Sequence, residues 1–283
     1  MDKLVLIMTN SPIIDFHTHI FPDKVAAKAI PQMAAKAHST PYVTGTVSDL
    51  KRSMQEANIT CSVALPVLTS PSQFASIHRF ALEQSAKDFS HLNHDIISFG
   101  GMHPDSSNYK TELRELKSMG FLGIKLHPDY QGVNFDDIRY MRIIDYASEL
   151  GFIIVTHAGI DIGLPNPVHC TPDSVLHVLQ EVHPPKLVLA HTGGWKLWDE
   201  VEEKLVGRDV YFDTAFSIRF ISSEQFMRII RNHGVNRILF ATDSPWDGQK
   251  ESLDAIQNFD FSEQELSLIL GQNAAQLLGI PQL

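Results

Sequence analysis

Short apolar runs alternate with amphipathic segments along most of the chain. The runs are mostly continuous in polarity rather than alternating, which is typical of parallel strands that are covered on both faces. Each run is followed by a segment whose apolar residues recur at helical spacing. We predict eight strands, at residues 13–19, 61–68, 95–102, 121–126, 152–156, 186–190, 210–214 and 237–242.

The intervening segments carry helix start and stop signals. Thr46 with Asp49, and Ser222 with Gln225, have the spacing of a capping box, and Gly120 follows one helix as a C-cap. Residues 22–41 are of mixed pattern and predict a helical excursion above the first strand. The other predicted helices cover residues 46–58, 72–89, 111–119, 136–150, 171–182, 195–206 and 222–233, and closing helices start at 262.

Strict alternation of strand and helix favours right-handed crossovers and a parallel sheet. Eight repeats in 283 residues predict an α/β fold, a closed (β/α)8 TIM barrel with helical insertions. An open doubly wound sheet is the competing fold, but no glycine-rich dinucleotide loop follows any strand. No linker or shift in composition divides the chain, so we expect residues 1–283 to form a single domain.

The first strand ends in a His-x-His pair. Because successive side chains of a strand point to opposite faces, Asp15, His17 and His19 are expected on one face. Two imidazoles on one face can bind a divalent cation. Taken alone, the pair is more typical of two polar histidines at the end of a strand than of a metal site.

Polar side chains recur where the other predicted strands end. In a (β/α)8 barrel these ends meet at one mouth, which is where the active site lies. Histidine and carboxylate are common ligands of catalytic zinc, and no cysteine occupies a strand end. The sequence therefore predicts a metal site formed from some of these residues: His17, His19, His103, Lys125, His127, His157, His191, Asp213 and Asp243.

Composition limits the partners and the cellular location that we expect for this protein. The formal net charge of −10 argues against nucleic acid, and no apolar run reaches the length of a membrane span. Leu4–Met8 is too short for a signal peptide, and two cysteines cannot form a disulfide framework. We expect a cytoplasmic protein that acts on a small molecule, with self-association left open.

The motifs together resemble one family. They are His17-x-His19, Gly123–Pro128, Thr156–Gly159, Ala190–Gly194 and Ala241–Pro245, with Ile269–Gly279 similar to a usual last helix. This set is similar to the amidohydrolase superfamily, in the branch that contains both small-molecule hydrolases and metal-dependent decarboxylases. The resemblance implies that His17, His19, His157 and Asp243 hold a divalent metal. It implies that His191 is either a ligand of a second metal or a polarising acid/base.

The sequence leaves three roles open for Lys125. In binuclear relatives a lysine on the fourth strand is carboxylated by carbon dioxide and bridges two metals, and the resemblance extends this role to Lys125. The alternatives are an ion pair with Asp15 or Asp213, or binding of a substrate carboxylate. Zinc is our default metal, in one or two copies.

Two further residues have weaker assignments. His169, in the loop 159–170 after the fifth strand, could close over a substrate, and Arg219 could bind a carboxylate. A surface role is as consistent with the sequence for both.

Three functions follow from these residues. The first is hydrolysis of an amide, ester or lactone, in which Asp243 accepts the proton of water and His191 stabilises the oxyanion. The alternative is decarboxylation of an unsaturated or aromatic acid, with Asp243 or His191 donating a proton to carbon. A metal-binding scaffold without activity is the third.

Overall fold

The structure, a computed structural model, describes residues 12–280; Leu4–Met8 lies outside this range. All of its paired strands are parallel. The strands are β1 (Ile14–Thr18), β2 (Cys61–Ala64), β3 (Asp95–Ser98), β4 (Gly100–Gly101), β5 (Gly123–Leu126), β6 (Ile153–Thr156), β7 (Leu187–Leu189), β8 (Tyr211–Asp213) and β9 (Ile238–Leu239).

The strands form a closed ring. β1-β2-β3 and β4 to β9 form two hydrogen-bonded groups, but β3 and β4 are one strand interrupted at Phe99, whose N–H donates to Ala64 O at 2.9 Å. At the other seam, Phe16 N donates to Phe240 O at 2.9 Å and Asp243 N donates to His17 O at 2.8 Å. The nine segments are therefore the eight predicted strands, and the (β/α)8 barrel is confirmed.

The helices lie between the strands in the predicted order. None of those in residues 12–280 has the length and apolarity that a membrane span requires. They are α1 (Asp23–Ala37), α2 (Val47–Ala57), α3 (Phe74–Gln84), α4 (Tyr109–Ser118), α5 (Pro128–Gln131), α6 (Ile138–Glu149), α7 (Pro172–Glu181), α8 (Trp198–Lys204), α9 (Ser223–His233), α10 (Gln249–Gln257), α11 (Glu263–Ser267) and α12 (Asn273–Leu278), with a π-helical turn at Leu268–Gln272.

Local capping explains where several helices begin. The side chains of Thr46 and Ser222 accept hydrogen bonds from Asp49 N and Gln225 N, as their spacing predicted. The predicted helix at 195–206 is shorter, because the chain stays in a turn until Trp198. This turn keeps Trp195 at the rim of the barrel mouth.

Asp15 departs from the expected alternation. Its carboxylate accepts hydrogen bonds from Thr242 N, Thr242 Oγ1 and Gln249 Nε2, and does not join the histidines. The pairing of β1 with β2 is irregular between Asp15 and Thr18, so the strict two-residue period of side-chain direction is lost there. Asp15 instead ties β1 to the eighth strand exit and to α10.

Candidate metal centre at the barrel mouth

A cavity of about 180 Å³ opens at the carboxyl ends of the strands. Its deep end is polar and its outer walls are apolar and aromatic. The polar lining includes residues from five strand exits, which confirms that the barrel brings distant parts of the chain together. These are His17, His19, Lys125, His127, His157, His191 and Asp243, while Phe21, Met33, Ile160, Trp195, Phe216 and Trp246 form much of the wall.

Three potential ligand atoms meet at the exits of the first and eighth strands. His17 Nε2 lies 3.2 Å from His19 Nε2 and 3.4 Å from Asp243 Oδ1. His19 Nε2 lies 3.1 Å from the same carboxylate oxygen. These three residues form a group whose ligand atoms could surround one ion.

The ring hydrogens of His17 and His19 point away from this group of three atoms. His19 Nδ1 lies 2.8 Å from Leu65 O, and because a carbonyl can only accept, Nδ1 must carry the hydrogen. His17 Nδ1 lies 2.8 Å from Asp213 Oδ2, and its hydrogen is donated to that carboxylate. Both Nε2 atoms then present lone pairs to each other and to Asp243. Three electron-rich atoms in contact without a proton fit a bound cation.

His191 and His157 form a second contact beside the first. His191 Nδ1 lies 2.9 Å from Ala215 O, so it donates there and leaves a lone pair on Nε2. That nitrogen lies 3.0 Å from His157 Nδ1. The resemblance implied that His157 joins His17 and His19, but the structure places its Nδ1 against His191.

His127 stacks on the other side of His157. Their ring centroids are 4.4 Å apart and the rings are 6° from parallel. Ligand atoms of His127, His157 and Asp161 do lie within 4.8 Å of one another. However, lone pairs lie in the ring planes, and stacked planes direct them side by side rather than at one point. This group is therefore a poorer cation site than the two contacts above.

Lys125 is buried between these histidines. Its side-chain Nζ lies 3.1 Å from His17 Nε2, and the residue is 1% exposed. Among the described residues it forms no ion pair within 4 Å, so the predicted pairing with Asp15 or Asp213 is not seen. Burial lowers the pKa of its ammonium to about 8, against the attraction of Asp213 and Asp243.

The protonation of the other side chains suits metal ligation. Burial, together with the nearby Lys125 charge, holds the pKa of His17 well below its usual value, and burial does the same for His157. Burial alone would raise the pKa of Asp243, but its histidine neighbours, His19 first, outweigh burial and keep this pKa below its usual value. Neutral imidazoles and an ionised carboxylate are the forms that bind divalent cations.

Two of the predicted ligands at these exits have strained backbone conformations. His191 has φ 62° and Asp243 has φ 68°, in the left-handed region that residues other than glycine seldom adopt. Such conformations persist where surrounding contacts fix them, and they cluster at functional sites. The strain aims both side chains into the mouth.

Three residues considered at the strand exits and loops lie elsewhere. His103 is not among the residues that line this cavity; its Nδ1 accepts from Asp105 N at 3.1 Å. His169 Nδ1 contacts Asp129 Oδ1 at 3.1 Å rather than facing the cavity. Arg219 pairs with Asp247 at 3.1 Å and donates to the Tyr42 hydroxyl at 2.8 Å.

The sequence did not single out Tyr130, Asp161 or Asp129. Tyr130 and Asp161 line the cavity, and Tyr130 packs edge-on against His127. Burial raises the pKa of the Tyr130 phenol to about 12, with Asp161 and Asp243 adding to the effect. The only available signal was their position just after the fourth and fifth strands.

Comparison with known proteins agrees with this architecture. The amidohydrolase family profile matches residues 14–280, and the chain therefore belongs to the amidohydrolase family. The comparison with curated protein sequences found no match.

Similar solved structures include enzymes of two reaction types. A 2,6-dihydroxybenzoate decarboxylase from Rhizobium is 15% identical with a TM-score of 0.68, over 95% of this chain and 99% of that one. A dihydroxybenzoic acid decarboxylase from Polaromonas, solved with manganese and 2-nitroresorcinol, is 16% identical with a TM-score of 0.68, over 96% and 98%. A candidate 2-pyrone-4,6-dicarboxylic acid hydrolase from Pseudomonas putida is 15% identical with a TM-score of 0.64, over 96% and 99%. At these identities the likeness concerns the fold.

Proposed function

We propose that the chain is a metal-dependent hydrolase that cleaves an amide, ester or lactone bond of a small molecule. One observation carries this proposal: the Nε2 lone pairs of His17 and His19 meet Asp243 Oδ1 with no hydrogen among them. These three residues would hold a divalent cation, with zinc as our default. Such an ion, when bound, supplies an acidified water and polarises a carbonyl.

We assign His157 and His191 to a second cation. Their Nδ1 and Nε2 atoms lie 3.0 Å apart at the mouth, next to the first group. His191 cannot serve as a neutral donor to an oxyanion, because its one hydrogen is held by Ala215 O. It is better suited to offer its Nε2 lone pair as a ligand.

Lys125 would bridge the two positions as a carbamate. A free ammonium 3.1 Å from a ligand nitrogen would oppose a nearby cation. The lowered pKa leaves part of the amine neutral at slightly alkaline pH. The neutral Nζ can attack carbon dioxide, forming an N–C bond and releasing one proton, and the product is an anionic ligand.

Asp243 and Tyr130 have separate roles in proton transfer and hydrogen bonding. Asp243 accepts the proton of the attacking water and passes it to the leaving group. Tyr130 keeps its proton at neutral pH, and among the described residues its hydroxyl makes no hydrogen bond, so it is free to donate to the oxyanion of the substrate. The walls formed by Trp195, Phe216 and Trp246 exclude water from the reacting bond.

The dimensions of the cavity restrict the substrate. A cavity of about 150 Å³ holds benzene in another protein, so about 180 Å³ suits a compound with a single ring. The aromatic and aliphatic walls favour a flat apolar face on that ring. We therefore infer a single-ring lactone, ester or amide as the substrate.

Decarboxylation of a single-ring acid is the second candidate. The same cavity size and the decarboxylases among the similar structures favour it. Against it, the Nε2 atoms of His17 and His19 beside Asp243 are proton acceptors, because the hydrogens of both rings lie on Nδ1. Protonation of carbon would need a donor, and among the described residues that line the cavity we assign this ability to Tyr130 and Lys125.

The test is a panel of single-ring lactones, esters, amides and aromatic acids, assayed with zinc- or manganese-loaded protein in ¹⁸O-labelled water. Hydrolysis places the label in the organic product, whereas decarboxylation releases carbon dioxide and leaves the organic product unlabelled. Asp243→Asn should lose activity by about 10²–10⁴-fold on any substrate found. Equal activity of the variant and wild type would contradict the role of Asp243. Cytoplasmic localisation, with both cysteines free and buried, remains part of this proposal.

A further inference from the structure

Behind the contact between His157 and His191, two buried polar atoms face each other without a hydrogen-bond partner. Asp129 Oδ2 and His157 Nε2 make no hydrogen bond to any described residue and lie 3.9 Å apart. The Asp129 side chain is fully buried, and that of His157 is 8% exposed. Unsatisfied polar atoms are rare in protein interiors, so a facing pair requires an explanation.

The other oxygen of Asp129 is firmly held. Asp129 Oδ1 accepts hydrogen bonds from both the backbone N and the Nδ1 of His169, each at 3.1 Å. His169 belongs to the loop 159–170 that follows the strand of His157. The loop therefore fixes the carboxylate and directs its second oxygen towards the His157 ring.

His17 shows the completed form of this arrangement, a histidine ring whose hydrogen is donated to a carboxylate. Asp213 accepts the Nδ1 hydrogen of His17 at 2.8 Å, and this leaves the Nε2 lone pair for the ligand group. A carboxylate on the remote nitrogen commonly fixes the tautomer and orientation of a metal-binding histidine. For His157 the nitrogens are exchanged: Nε2 faces the carboxylate and Nδ1 faces His191.

We propose that Asp129 is a positioning residue for His157. Its Oδ2 accepts the Nε2 hydrogen, and the ring then presents the Nδ1 lone pair beside His191 Nε2. The separation of 3.9 Å exceeds a normal hydrogen bond by less than about 1 Å, which a small side-chain rotation closes. The opposite tautomer would place the hydrogen between the two histidines and leave both buried atoms unsatisfied.

The tautomer of His157 in the wild-type protein tests this directly. Long-range ¹H–¹⁵N correlation spectra of histidine-labelled protein would be recorded with and without Zn²⁺, and His157→Gln would assign the signal. We expect the hydrogen on Nε2 in both samples. A hydrogen on Nδ1 overturns the inference. This measurement needs no folded Asp129 variant.

Zinc affinity supplies the second test. Asp129→Asn should weaken Zn²⁺ binding at the His157 position by about 10–100-fold in competition with a chelating dye. Asp136→Asn is the matched control, because Asp136 pairs with His177 at 3.2 Å on the surface. The Zn²⁺ affinity of this variant should equal that of the wild type. Unaltered affinity in Asp129→Asn overturns the inference.

The inference rests on the proposed metal site but fails separately from it. Neither measurement uses substrate, so an inactive substrate panel does not affect the result. A wild type that binds no Zn²⁺ would contradict the proposed function, while the tautomer in the metal-free sample would still report on Asp129.

Discussion

The Asp213 carboxylate links two strand exits through its two oxygens. Oδ2 accepts the Nδ1 hydrogen of His17 at 2.8 Å, and Oδ1 accepts the backbone N–H of His191 at 2.8 Å. One side chain at the end of β8 thus fixes the ring of one predicted ligand and the backbone of another. Asp213 is 0% exposed, so this link is insulated from water.

Asp213→Asn should weaken metal binding while the fold persists. An amide cannot accept from His17 and His191 as the carboxylate does, and the His17 ring loses its fixed tautomer. We expect about 10–100-fold lower zinc affinity in competition with a chelating dye. Asp209→Asn, which alters an exposed carboxylate paired with Arg237, serves as the control. Equal affinity of the Asp213 variant and wild type would argue against this role.

The carbamate on Lys125 should be visible in the mass of the native protein. Electrospray under native conditions, from bicarbonate buffer with zinc, should show one added carbon dioxide, which is lost on acid denaturation. Lys125→Met should lack the added mass and bind less zinc. A native wild type without the added mass, although it binds two zinc ions, would show that Lys125 does not bridge them.

Tyr130→Phe should lower turnover with little effect on folding. Loss of a donor to a developing oxyanion typically costs about 10²–10³-fold in kcat, and KM should change far less. The measurement is steady-state kinetics on a substrate found in the panel. Tyr42→Phe, which removes a hydroxyl bonded to the exposed Arg219, is the matched control. A Tyr130 variant with wild-type kcat would rule out the assigned donation.

His233 should make the protein sensitive to acid. Its Nε2 donates to Val210 O at 2.9 Å, its Nδ1 accepts from Gly207 N at 3.2 Å, and burial lowers its pKa to about 4. As pH falls below about 6.5, His233 is protonated in the unfolded chain, but in the folded chain it stays neutral until about pH 4. The free energy of unfolding therefore decreases across this range.

Urea unfolding of wild type and His233→Gln at pH 7 and pH 5 tests this effect. The free energy of unfolding of the wild type should fall by about 2 kcal/mol more than that of the variant between the two values. An equal fall in both proteins would mean that His233 titrates normally in the folded state.

The sequence predicted most of the barrel for a physical reason. Continuous apolar runs define strands that are buried on both faces, and closure of a parallel sheet brings their carboxyl ends together. This reasoning placed His17, His19 and Asp243 at one mouth, and the structure brings them into contact. Capping signals, as at Thr46, set several helix starts in the same local way.

The details that decide side-chain direction lay beyond the sequence pattern. The irregular pairing of β1 turns Asp15 away from the histidines. Asp129 lies in the four-residue helix α5, which is too short to produce a periodic signal. Its approach to His157 also depends on His169, 40 residues away, through a loop without regular pattern. These contacts arise from tertiary packing, which a local pattern does not contain.

We propose above that the histidines and carboxylate at the mouth hold a divalent metal. The most direct test is metal analysis by inductively coupled plasma mass spectrometry on purified wild type and His17→Gln/His19→Gln. We expect two divalent ions per wild-type chain, with marked loss of metal in the double variant and retained secondary structure by circular dichroism. A wild type with no stoichiometric metal after incubation with zinc or manganese, or a double variant that binds as much metal as the wild type, would rule out this site.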